Sequence, residues 1–116
     1  MKNFLPILLA LLLPVVCRAG GWPTYSASEA KDHVGEDAVV LGKVEQVSQS
    51  AKAVFVNFGG KFPAHVFTAV SFNLPYSALS KFEGKTVSVF GTIKDYKGKP
   101  EIVLHDILQI SLYEKP

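Results

Sequence analysis

Cysteine is almost absent from this chain. The single residue, Cys17, falls in an opening stretch that reads as a leader, not as part of a fold. Residues 20–116 then hold no thiol, which excludes disulfides, cysteine nucleophiles and thiolate metal sites. An excess of charge is missing too. Lys2 and Arg18 account for the formal net charge of +2, and beyond residue 19 ten lysines face ten acids. Such a neutral domain lacks the strongly basic balance that usually marks nucleic-acid binders. His33, His65 and His105 lie far apart, with no acid or cysteine at ligand spacing, so no metal pattern forms. Surface histidines are expected, the alternative for His65 being a place near a ligand in its loop after Pro63-Ala64. Ser71, Ser77, Ser80, Ser88 and Ser111 sit in no nucleophile elbow. Asp95 and Glu101 flank a hairpin and read as partners for Lys94, Lys97 or Lys99, not as an acid and base. No enzyme activity and no cofactor are expected.

Residues 1–19 carry the marks of a secretory signal. Lys2 gives a positive start, and the apolar run over 5–16 is too short for a mature membrane anchor. Cys17-Arg18-Ala19 puts small residues at the −3 and −1 positions for cleavage after Ala19. The rival is a lipid anchor on Cys17, but that wants a small residue before the cysteine and Val16 is not small. The expectation is a signal peptide over 1–19, a single domain over 20–116 and a periplasmic or secreted protein with no stable membrane anchor. That length suffices for one modest core.

What is present is strand grammar. Residues 84–104, GKTVSVFGTIKDYKGKPEIVL, alternate Val87, Val89, Gly91 and Ile93 along one face. A turn follows at Tyr96-Lys97-Gly98-Lys99-Pro100, placing two lysines and a ring at its tip. The pattern Val40-x-Gly42-x-Val44 matches Val89-x-Gly91-x-Ile93, two strands coiling where glycine removes a clashing side chain. Ser26 and Glu29 fit a capping box for a short helix over about 27–34, with Ala27, Ala30 and Val34 as its apolar stripe. Strands are expected over 39–47, 53–58, 66–72, 86–95 and 100–112, the last interrupted near His105-Asp106. A helix over 75–82, begun by Pro75, would plug a barrel with Leu79 and Phe82. This order predicts an all-β domain with short helices: a five-stranded Greek-key barrel, the OB-fold, with a helix between strands three and four. Val40, Val44, Val54, Val56, Phe58, Leu79, Phe82, Val87, Val89, Ile93, Ile102 and Leu104 should form its core.

The runs HVGEDAVVLGKVEQV, AVFVNFGG, FTAVSF, GKTVSVFGTIKDYKGKPEIVL and LQI resemble the nucleic-acid-binding OB-fold superfamily, in particular its anticodon-binding type and small exported bacterial OB proteins. The resemblance covers residues 38–112. It implies a base-stacking aromatic on the second strand, at Phe55. Alternation separately puts Phe55 and Asn57 on one face and Val54, Val56 and Phe58 on the other. Gly59-Gly60 departs from the anticodon-binding pattern and reads as a hairpin connection.

Binding residues follow. Phe55 and Tyr96 are candidate stacking platforms, with packing as the plainer alternative for Phe55. Lys43, Lys61, Lys94, Lys97 and Lys99 are candidate phosphate partners, although Lys97 and Lys99 also serve simply to solubilise a hairpin tip. Asn57 would either bond a base edge or cap its own turn, the turn being favoured. The expected partner is single-stranded nucleic acid; the alternative is a small ligand or a protein on the same barrel face.

Overall fold

The computed structural model describes residues 21–114, so the leader expected over residues 1–19 and its expected cleavage site lie outside the described residues. Eight strands form: β1 (Thr24–Ser26), β2 (Asp37–Gln49), β3 (Val54–Phe58), β4 (Phe67–Ser71), β5 (Thr86–Thr92), β6 (Lys94–Tyr96), β7 (Lys99–Val103) and β8 (Ile110–Leu112). Helix α1 (Tyr76–Leu79) runs into a 3-10 turn over Ser80–Phe82, between β4 and β5.

The sheet closes through β2. One edge of β2 pairs antiparallel with β3, which pairs with β4, which pairs parallel with β7. The other edge pairs antiparallel with β5. Only Ile93 separates β5 from β6, and β6 pairs back onto β7. The ring is therefore β2–β3–β4–β7–β6/β5, the five-stranded barrel expected, with β8 returning to the free edge of β5. β1 adds a short parallel pairing to β2.

Every one of the twelve core positions named from the sequence is buried, with Phe58, Leu79, Ile93, Ile102 and Leu104 fully enclosed. Leu79 and Phe82 seal the barrel as proposed for a plug. The link after the helical segment, residues 83–85, also satisfies the part of β2 that β5 does not reach. The Gly84 N–H donates to the Val44 carbonyl at 2.8 Å, and the Val47 N–H donates to Glu83 Oε2 at 2.9 Å.

Several boundaries differ for local reasons. The first helix is a 3-10 helix over Ala27–Asp32, and Val34 is exposed beyond it. Glu29 does cap it, accepting from the Ser26 N–H at 2.9 Å. Pro75 is the N-cap of α1 and not part of its first turn. Val66 and Phe72 lie exposed outside β4. The last strand breaks into β7 and β8, as the His105-Asp106 signal suggested. Asp106 caps the intervening 3-10 turn by accepting from the Leu108 N–H at 2.8 Å.

Gly42 and Gly91 flank the central Val40–Val89 pair of β2 and β5 symmetrically, opposite Val87 and Ala38. A Cβ on Gly91 would stand 2.6 Å from Ile102 Cγ2, so the strand can pass over β7 only without a side chain there. Gly91→Ala is expected to cost about 1–3 kcal/mol through overpacking, read as a lower urea midpoint at constant slope.

Candidate nucleic-acid interface

One cross-strand row organises the barrel's outer face. Gln46 pairs with Asn57, Asn57 with Thr68, Thr68 with Glu101 and Glu101 with Lys94, running across β2, β3, β4, β7 and β6. Neighbouring members stand about 4.8 Å apart, the spacing of adjacent strands. Gln46 reaches this face because Glu45 is an extra residue in the β2 ladder, where the register shifts between Val44 and Gln46. The bulge reverses the alternation, so Val47 is buried and Gln46 turns outward.

Hydrogen bonds fix the first three members of the row. Thr68 Oγ1 donates to Asn57 Oδ1 at 2.7 Å, and Asn57 Nδ2 donates to Gln46 Oε1 at 2.9 Å. The same Gln46 oxygen accepts the Phe62 N–H at 2.9 Å. With its carbonyl doubly engaged, Gln46 is oriented. Asn57 is buried within this network, which corrects the expectation that it caps its own turn: its carbonyl and amide are both taken by strand neighbours.

Above the row lies a cleft of about 640 Å³. Phe55, Ser48 and Gln49 line one side; Tyr96, Lys97, Lys99, Phe62, Pro63 and His65 line the other. Phe55 is half-buried and shares its face with Asn57, two residues along β3. Tyr96 is 57 % exposed on β6, two residues beyond Lys94. Lys97 and Gly98 both have positive φ, at 52° and 89°, and make the two-residue turn joining β6 to β7. The Lys97 ammonium sits 5.3 Å above the centre of the Tyr96 ring.

Of the eight binding residues expected from the sequence, the structure brings Phe55, Asn57, Tyr96, Lys97 and Lys99 to this cleft. Lys43 lies elsewhere: its part of β2 pairs with β5, opposite Thr86. Lys61 is exposed on the β3–β4 loop and Lys94 stands across from Glu101 at the end of the row, neither lining the cleft. Lys99 is already engaged, its ammonium donating to the carbonyls of Pro63 and, at 2.7 Å, His65. Asp95 turns inward on its hairpin, accepting from the Gly98 N–H at 3.4 Å.

Sequence reasoning missed Gln46, Phe62 and Thr68, and for His65 it favoured the surface over a place near a ligand. The three-residue step from Val44 to Val47 was the available signal for Gln46, since it breaks period two. His65 is not the surface residue expected. It is buried, its ring stacks on Phe62 with centroids 5.6 Å apart, and Nδ1 has no hydrogen-bond partner among the described residues. Burial, and then the nearby Lys99 ammonium, hold its imidazole below the ordinary histidine range. Burial pushes the Glu101 carboxyl up, against the opposing pull of Lys94.

No protein-family model and no curated protein matches the sequence. Solved structures match the fold. A protein assigned as an aspartyl-tRNA synthetase from Leishmania major Friedlin aligns over 86 % of this chain at 13 % identity and a TM-score of 0.55. RecG bound to a three-way DNA junction aligns over 79 % at 22 % identity and a TM-score of 0.55. The chain spans only 22 % and 12 % of those proteins. An OBody bound to hen egg-white lysozyme is covered over 90 % of its length, at 16 % identity and a TM-score of 0.53. These likenesses establish the OB-type barrel.

The His65 environment has a measurable consequence. The unfolded chain takes a proton near pH 6.5, whereas the folded protein resists it, so stability falls as pH drops below about 6.5. Urea unfolding between about pH 7 and 5 should show this slope reduced in His65→Gln. An equal slope in both proteins would place the titrating group elsewhere.

Proposed function

We propose that this OB-fold protein binds single-stranded nucleic acid with little sequence preference. The observation that carries this is one open cleft flanked by the Phe55 and Tyr96 rings, with a fixed polar row between them and Lys97 at its rim. Stacking on a ring is worth roughly 1–3 kcal/mol per base and accepts any base, because every base has a π-face. Lys97 would meet the backbone. The Lys94 charge beside Glu101 offsets the acid that a phosphate chain would otherwise approach. RecG, bound to a three-way DNA junction and similar in fold over 12 % of its length, supports a nucleic-acid partner. Lysozyme-bound OBodies favour the second reading, a protein partner on such a barrel.

The positive start at Lys2, the apolar run over 5–16 and the small residues Cys17 and Ala19 support export, with cleavage after Ala19. Intact mass of the exported protein should then begin at Gly20; a diacylglycerol-modified Cys17 at the amino terminus would instead tether the barrel to a membrane.

Fluorescence anisotropy with labelled dT and rU oligomers at low salt tests the binding. Affinity should fall linearly with salt on logarithmic axes. Lys97→Ala should lower that slope by about 0.7, the share of one phosphate contact on a single strand. Tyr96→Ala should lose roughly 1–3 kcal/mol at an unchanged slope, because stacking releases few ions. No affinity for any single strand at low salt would refute this reading and leave a protein or small ligand as the occupant.

A further inference from the structure

Two features of the cleft are unused by that reading: the exposed Phe62 ring and the two loop carbonyls that hold the Lys99 ammonium. Phe62 is 70 % exposed on the loop between β3 and β4, a costly place for a large apolar ring unless something covers it. It is nevertheless held. Its N–H is bound by Gln46 Oε1 at 2.9 Å, its ring stacks on His65, and the Ala64 N–H closes a turn on the Lys61 carbonyl at 2.7 Å. From the facing strand β7, Lys99 reaches across to the carbonyls of Pro63 and His65, one on either side of Ala64. An ammonium has three donors, and two are committed to the loop. A lysine so placed has little left for a phosphate.

We propose that Lys99 is a positioning residue that straps the β3–β4 loop over the cleft, and that the strap presents Phe62 as a third stacking platform for single-stranded nucleic acid. This rests on the proposed function and extends its footprint. Phe55 lies on one side of the polar row, while Phe62 and Tyr96 lie on the other, so a strand crossing the row meets rings at both ends. The His65 ring, stacked beneath Phe62 at 5.6 Å between centroids, backs the platform. The charge assignment expected from the sequence is divided: Lys97 faces the ligand, and Lys99 faces the loop.

The test uses the purified protein, a ladder of thymidine oligomers of increasing length and a salt titration. Phe62→Ala removes an exposed ring and leaves the core intact. It should weaken binding roughly five- to hundredfold at unchanged salt slope, and the length at which affinity levels off should shorten by about one nucleotide. Lys99→Met should give the same loss, again at unchanged slope, and the double variant should be no worse than either single one, because both act on one platform. A slope lowered by about 0.7 in Lys99→Met, or losses that multiply in the double variant, would make Lys99 a phosphate contact and overturn the proposal. If Lys99→Met does not fold, Lys99→Gln decides: a shorter, neutral amide that cannot reach both carbonyls should lose affinity at unchanged slope, whereas retained affinity would overturn the strap. Binding by the parent protein that is unaffected by Phe62→Ala sinks this inference alone; no binding by the parent sinks the proposed function itself.

Discussion

The thirteen residues of β2 are hydrogen-bonded along both edges, and each edge has a different partner at each end. Its first half pairs with β5, its second half with β3, and the link over residues 83–85 takes over the β5 edge where β5 stops. A strand can serve two walls of a barrel only if it coils, and coiling needs a bulge and places without side chains. Glu45 supplies the bulge and Gly42 the missing side chain; a Cβ at Gly42 would stand 3.2 Å from both Ala27 and Phe58. Gly91 does the same on β5. The cleft inherits this arrangement, because the bulge that bends β2 also turns Gln46 onto the binding face.

Much of the fold was legible because its determinants are local. Period-two alternation separated Val54, Val56 and Phe58 from Phe55, and the structure buries the first three while leaving Phe55 half-exposed. Val87, Val89 and Ile93 followed the same rule, and the glycine positions were correctly read as points of close approach. Terminal residues such as Val34, Val66 and Phe72 escaped because apolarity alone does not say where a ladder ends. β1 escaped because three residues give no period.

The cleft was half legible. Phe55, Tyr96 and Lys97 announce themselves, an aromatic on a strand and a basic hairpin tip. Gln46, Asn57, Thr68 and Glu101 form a row only through pairing register across four strands, which no local pattern encodes. His65 and Phe62 were hidden by their loop, whose path depends on Lys99 reaching over from a strand more than thirty residues later. The role of Lys99 therefore cannot be read from its neighbours Lys97 and Gly98; it is set by two carbonyls distant in sequence.

The central claim is that the ring-flanked cleft over the Gln46–Lys94 row is where this barrel meets its ligand. Chemical-shift mapping of isotope-labelled protein titrated with a thymidine oligomer tests it most directly. The account predicts saturable shifts at the amides of Phe55, Asn57, Phe62, His65, Tyr96 and Lys97, with Lys43 and its neighbours on the β5 side unmoved. Shifts concentrated instead around Trp22 and Phe90, an edge-to-face pair outside this cleft, would contradict it.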